Sequence, residues 1–421
     1  MMTIALNNIR IIDKFSPYNE QVKSLLIEDG VIKVIGDAPL QAELKVEGDD
    51  LSVSVGWFDL GTYVGDPGYE HKEDIESICE VAAAGGFTEI AVLPNTLPPI
   101  QQKNGVKYLT AGNPNRLVQI YPIASVTFNN EGTEITEMID LHHAGAVAFS
   151  DGLKPIWNTD ILLKGLQYLK KINGLLMQRP EDKWLNLYGQ MHEGQMSTSL
   201  GLKGIPALSE YLTIERDLKL LQYTSGKIHF SNISTSESVA LIRQAKQQGL
   251  QVSCDVAVHN LHFDDQLVLD FDANYKVNPP LRSREHIDSL WTGLKDNTID
   301  AIVSAHRPHD EECKKLEFDL ADFGMLGLQT LFPLMLQHAG DFSIPQMIEK
   351  ISSGPRQLLG LPNPSIKEGE KANLTIMNEK EDWVYANNTN YSKSTNSPLF
   401  KEKLKGRIKG VINNQKIKLF D

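Results

Sequence analysis

Short runs in which apolar and polar positions alternate fill the first fifty residues. They are IALNNIRIID at 4–13 and SLLIEDGVIKVIG at 24–36, the latter with an Asp29-Gly30 pair at its centre. A period of two sends successive side chains to opposite faces, as in a half-buried strand, and Asp-Gly suits a tight hairpin turn. The end of the chain repeats the pattern in ANLTIMN, GRIKGVINN and QKIKLF, broken by Gly and Asn. Residues 1–50 and 365–421 are therefore expected to pack together as one small β domain.

Between them, over 51–364, apolar runs alternate with longer helical patterns. Candidate strands are Leu51–Leu60, Glu89–Leu93, Val118–Ile123, Ala146–Phe149, Gly174–Gln178, Lys227–Asn232, Gln251–Val256 and Asp300–Ser304. Eight strands alternating with helices fit a parallel (β/α)₈ barrel, which takes roughly 250 residues as one unit. Two helices are well marked. HKEDIESICEVAAAGG carries acids early and a Gly-Gly stop, and SESVALIRQAKQQG ends at Gly249. Periodicity alone leaves a doubly wound open sheet as an alternative. The polar stretch Asn387–Pro398 reads as a loop across the surface.

Composition narrows the function classes. Hydrophobic residues at 41% and charged residues at 23% are ordinary for a globular chain. A net charge of −13 repels phosphate backbones, so nucleic acid is not an expected partner. Cys79, Cys254 and Cys313 are widely spaced and form no Cys-x-x-Cys pair, which fits unpaired thiols in a reducing compartment. There is no signal-peptide pattern at the start and no run of 18 apolar residues, so a cytoplasmic location without a membrane span is expected.

Eight collinear phrases carry a specific likeness. They are PGYEHKEDIES (67–77), AAAGGFTEIAVLPNTLPP (82–99), GAVAFSDG (145–152), MHEGQMSTSLGLKGIP (191–206), HFSNISTSESVALIRQAK (229–246), KVNPPLRSREH (276–286), IDAIVSAHRPH (299–309) and FGMLGLQTLFPLML (323–336). In order, spacing and wording the chain resembles the bacterial class I dihydroorotases of the cyclic amidohydrolase superfamily, over essentially its whole length. The resemblance implies a metal-dependent barrel that interconverts dihydroorotate and carbamoyl aspartate in pyrimidine biosynthesis. It also implies one or two Zn²⁺ at the C-terminal mouth. Bound zinc brings the pKa of water down to about 7 and polarises a carbonyl.

The residues at the implied site depart from that pattern. After the first barrel strand the family has Asp-Leu-His-x-His-x-Arg, and this chain has Asp59-Leu60-Gly61-Thr62-Tyr63-Val64-Gly65. Gly61 and Tyr63 replace two histidines, and Gly65 replaces the Arg that pairs with the substrate carboxylate. Lys154 and Arg179 are the nearest substitutes in sequence. Asp151 is retained. Arg179 stands where the family has a His after strand five, Asn232 replaces the second His after strand six, and Ala305 replaces the proton-shuttling Asp after strand eight. A guanidinium has no lone pair to offer, and Asn offers only a neutral oxygen. One of six matched ligand positions therefore keeps its residue type, where a catalytic zinc needs about three protein ligands.

Asn95, Asn278 and His309 match substrate-contact positions; for the two asparagines, capping a loop or holding a turn is the competing reading. His259, His306 and His309, with Asp151, are the residues from which a relocated metal site would be built. Arg179 is also expected to pair with Asp151, sparing that carboxylate an uncompensated burial. The expectation that follows is a catalytically inactive dihydroorotase-like protein holding no cofactor, with zinc only if the site is rearranged. Its expected assemblies are a homodimer and a complex with aspartate transcarbamoylase. An active cyclic amide hydrolase with a rebuilt metal site is the alternative.

Overall fold

A computed structural model describes residues 2–338 and 340–420. Eight strands form one parallel sheet in sequence order: Trp57–Thr62, Phe87–Val92, Gln119–Ala124, Ala148–Phe149, Leu176–Gln178, Ile228–Phe230, Val252–Ala257 and Ala301–Val303. Each of the eight expected barrel strands has a counterpart, the first of them only from Trp57 onward. The first and last of them are joined through Asp59. Its carboxylate accepts from the Ser304 amide (2.7 Å), the Ser304 hydroxyl (2.7 Å) and the Thr62 hydroxyl (2.6 Å). The fold is thus a nearly closed (β/α)₈ barrel, and the open-sheet alternative is set aside.

The expected strand Leu51–Leu60 is two strands. Leu51–Val55 leaves the barrel and lies in an antiparallel-rich outer sheet, between Thr3–Ile12 and Leu374–Val384. Trp57–Thr62 begins the barrel. Gly56 makes the join, because a Cβ there would sit 2.0 Å from Asn373 Oδ1 and 2.1 Å from Thr88 Oγ1. The outer sheet gathers both chain ends, including Val22–Glu28, Val31–Gly36, Lys403–Asn413 and Lys416–Leu419.

Two kinds of apolar layer hold the barrel. Phe58, Ile123, Met177 and Val303 fill its interior, while Trp57, Phe87, Leu328 and Phe332 belong to the larger core between strands and helices. Each fully buried side chain of this size contributes roughly 1.5–3 kcal/mol. The helix Ile75–Ala84 begins where its sequence signals place it. Asp74 accepts from the Ser77 amide at 2.8 Å as N-cap, and Gly85 ends the helix.

The segment 387–398 is not a surface loop throughout. Ser394, Asn396 and Ser397 are buried. Asn396 donates to the carbonyls of Arg307 (3.0 Å) and Gly324 (3.2 Å) and accepts from the His309 amide (3.0 Å). Polar composition disguised it, since its side chains are spent on backbone groups of the barrel loops.

Candidate functional site at the barrel mouth

Side chains at the C-terminal ends of the strands surround a small cleft. Gly61, Tyr63, Arg179, Asn232 and Ala305, matched in sequence to metal-ligand positions, all line it. The backbone there is unusual. Gly61 (φ 100°), Asn232 (φ 56°) and Ala305 (φ 46°) are left-handed at the ends of strands one, six and eight. For alanine that conformation costs about 1–2 kcal/mol, a strain the surrounding structure has to hold.

Asp151 is absent from the lining. It is buried and turned to Thr127, accepting from that residue's amide (2.8 Å) and hydroxyl (2.5 Å). Burial raises its pKa to about 6 against these stabilising bonds. Arg179 does not pair with it. Arg179 Nε donates instead to Glu181 Oε2 at 3.1 Å, and the same oxygen accepts from Asn278 Nδ2 at 3.0 Å. The expected Arg179–Asp151 pair is therefore corrected: two residues along the chain, Glu181 reaches the guanidinium first.

Of the three residues matched to substrate contacts, only Asn278 lines the cleft. Asn95 spends both ends of its amide on the neighbouring loop, donating to the Asp151 carbonyl (3.1 Å) and accepting from the Leu153 amide (2.9 Å). His309 is buried with Nε2 on the Phe323 carbonyl (3.0 Å) and Nδ1 3.3 Å from Lys72 Nζ.

The relocated metal set is not assembled either. His259 lines the cleft, and its Nδ1 has no partner within the protein; burial lowers its pKa to about 3, so the ring is neutral. His306 accepts at Nδ1 from the Gly327 amide (3.2 Å), and its Nε2 stands 3.8 Å from Glu73 Oε2. Among the described residues, the one group of three donors within 4.8 Å of each other is His309, Cys313 and Asp322. Lys72 already supplies a cation there, with Nζ 3.3 Å from both His309 Nδ1 and Cys313 Sγ.

One layer below the mouth, His229 is a satisfied hub. Its ring nitrogens contact Ser253 Oγ and Asp255 Oδ2, each at 2.8 Å, and Asp255 Oδ1 accepts from the Asn232 amide at 2.6 Å. Gln178 similarly binds both polar groups of the Ile156 backbone and the Asp217 carboxylate.

Sequence reasoning passed over Arg307, which also lines the cleft. Its one signal was a long cation between His306 and Pro308, where the matched motif leaves the residue unspecified. Burial and the nearby Arg179 lower its pKa to about 10, so it stays charged at neutral pH.

The five matched positions do not supply a donor set for a zinc pair, and His259 and His306, which also line the cleft, join no group of three ligand atoms within 4.8 Å among the described residues. Gly61 and Ala305 offer nothing, and Arg179 offers only donors. Burial pushes the Tyr63 hydroxyl up to about 12, which keeps it a neutral phenol. Asn232 Oδ1 is a single neutral oxygen without a protein partner. Zinc sites require about three or four nitrogen, sulfur or carboxylate ligands.

Residues 52–238 match the family model described as dihydro-orotase-like. The chain is 36% identical over 413 residues to a dihydroorotase of Syntrophus aciditrophicus, covering 97% of each. It is 37% identical over 430 residues to a dihydroorotase of Caldanaerobacter subterraneus, covering 100% of this chain and 99% of the relative. Among solved structures it superposes on an L-hydantoinase from Arthrobacter aurescens with a TM-score of 0.86 at 22% identity, over 100% of this chain and 98% of that one. Among the described residues no helix is long and apolar enough to cross a membrane.

Proposed function

The chain belongs to the dihydroorotase family, and from that premise we propose that it serves pyrimidine biosynthesis as a metal-free barrel that acts by binding rather than by hydrolysis. The observation that carries this reading is the convergence of Gly61, Tyr63, Arg179, Asn232 and Ala305 on one cleft, five positions that between them offer no usable ligand set. Metal would supply an activated water; these side chains neither hold it nor, with Ala305, offer a carboxylate to move its proton. The guanidinium of Arg179 adds a fixed positive charge against an incoming divalent ion.

In this reading the protein works through assembly, as a homodimer and as a partner of aspartate transcarbamoylase. The zinc content of purified, dialysed protein is the first test. No metal after incubation with added zinc, together with no hydrolysis of dihydroorotate, is the expected result. Near-stoichiometric zinc with chelator-sensitive turnover would overturn it. Co-purification then tests the transcarbamoylase complex separately.

A second reading rests on His309, Cys313 and Asp322, whose donor atoms lie within 4.8 Å of one another. If Lys72 gave way, they would form a rebuilt zinc site for an active cyclic amide hydrolase. Loss of bound zinc in Cys313→Ser would identify that arrangement.

A further inference from the structure

We propose that the barrel-mouth cleft is a binding site for a small dianionic oxyanion, clamped by Arg307 and the free edge of Arg179 where the family would hold metal. The proposal rests on the metal-free reading of the cleft and gives that cleft a ligand.

Arg307 is the central observation. Among the described residues, its guanidinium makes no ion pair and no hydrogen bond within the protein. It is nevertheless held in place. Its aliphatic stem lies across Gly324, where an added Cβ would come within 2.8 Å of Arg307 Cδ and Cγ. Gly324 itself has φ 143°, a conformation favouring glycine. The Arg307 amide donates to the Met325 carbonyl at 2.9 Å, and Asn396 binds the Arg307 carbonyl. A charged fork fixed by its backbone and stem, with no acceptor from its own chain, presents its donors to the cleft.

The remaining wall has the same character. Only Nε of Arg179 is bonded, to Glu181. Buried His259 Nδ1, His306 Nε2 and Asn232 Oδ1 border the same space without a hydrogen-bond partner from the protein. Because His306 Nδ1 accepts from the Gly327 amide, its Nε2 carries a proton and is a donor. Orphaned buried polar groups are costly and are rare in native proteins unless something else pairs with them.

The local charge favours an anion. Lys276 and Lys314 bond to the backbone carbonyls of Phe318, Asp322 and Gly324, and burial lowers their pKa values to about 8 and about 7, so at neutral pH Lys276 adds most of a charge and Lys314 about half of one. Most of the nearby carboxylates are engaged elsewhere, although Asp322 also attracts Arg307 and buried Glu73, bonded to Ser392, stands 3.8 Å from His306 Nε2. Glu181 takes Arg179 and Asn278, Asp255 takes His229, and half-exposed Asp322 lies against Lys72 and His309. A cationic cleft in a chain of net charge −13 concentrates anions at one place. Two planar forks favour carboxylate or phosphate oxygens through paired hydrogen bonds. The cleft is small, which restricts it to a compact ligand and excludes a polymer.

The test is calorimetric titration of the dialysed full chain with inorganic phosphate and, separately, with succinate at low ionic strength. Zinc is measured on the same sample. Saturable one-to-one binding of either probe is expected; phosphate alone would assign a phosphoryl ligand and succinate alone a dicarboxylate. Arg307→Gln should weaken that binding about tenfold or more. Arg307→Lys, which keeps the charge and loses the fork, should fall between, and covers the case in which the glutamine variant fails to fold. The exposed control Arg284→Gln should bind as wild type. No saturable binding by metal-free protein, or binding unchanged in both Arg307 variants, overturns the inference and leaves the metal-free reading standing. Stoichiometric zinc in the sample would instead remove that reading.

Discussion

Two guanidiniums sit in neighbouring crevices at the mouth of this barrel, and their surroundings are opposite. Arg282 is 2% exposed, and every arm of it is engaged: Nε with Ser234 Oγ (3.0 Å), Nη1 with the Ile205 carbonyl (2.8 Å) and His192 Nδ1 (3.0 Å), and Nη2 near Glu210. Glu210 in turn accepts from Ser234, Thr235 and Ser238 and so fixes the start of the helix Ser236–Gln247. Arg307 has the same chemistry and none of these acceptors. A closed network spends a charge on holding loops together. An unclosed one keeps its charge for something outside the chain.

Replacing the two arginines separates these roles. Arg282→Met strands Glu210 and should cost about 3–5 kcal/mol, as for other broken buried pairs, measured by urea unfolding. Asp217, beneath Gln178, asks whether a bonded carboxylate in this layer still pays for its burial. Its ordinary pKa of 3.8 applies when the chain is unfolded, and in the fold it rises to about 6, chiefly through burial. Between those values the native state retains a proton that the unfolded state has lost, so stability falls as pH rises and is level above the window. Relative to wild type, Asp217→Asn should gain up to about 3 kcal/mol from pH 4 to pH 7 in unfolding measurements; a pH-independent difference would contradict this. Gly324→Ala should cost about 1–2 kcal/mol and displace the Arg307 stem, weakening oxyanion binding along with stability. Arg307→Met should change stability by less than about 1 kcal/mol, or raise it, because it removes an unpaired charge. A large loss would mean that Arg307 is structural after all.

The barrel was legible because its signals are local. Eight apolar runs, the Asp74 cap and the Gly85 stop each lie within a short window of sequence. Gly56 was harder to see, since the join it makes is set by Asn373 and Thr88, which come from distant parts of the chain. The five departures at the cleft could be read from matched phrases, and the structure brings those residues to one place. What they do there could not be read. Arg179 turns to Glu181 and Asp151 to Thr127, choices settled by which acceptor or donor the folded loops place nearest. Arg307 left only an unspecified motif position as its trace, because an unpaired charge is recognised by its neighbours and not by its spacing.

Asn396 gives the two lobes a common fate. It belongs to the connection between the outer-sheet strands Leu374–Val384 and Lys403–Asn413, yet its amide is stitched into the loops after the eighth barrel strand. A chain that returns from one lobe to buckle the other cannot release either alone without breaking those bonds. Melting should therefore proceed as one event, and cleavage between 387 and 398 should loosen the barrel mouth while the outer sheet still holds both fragments.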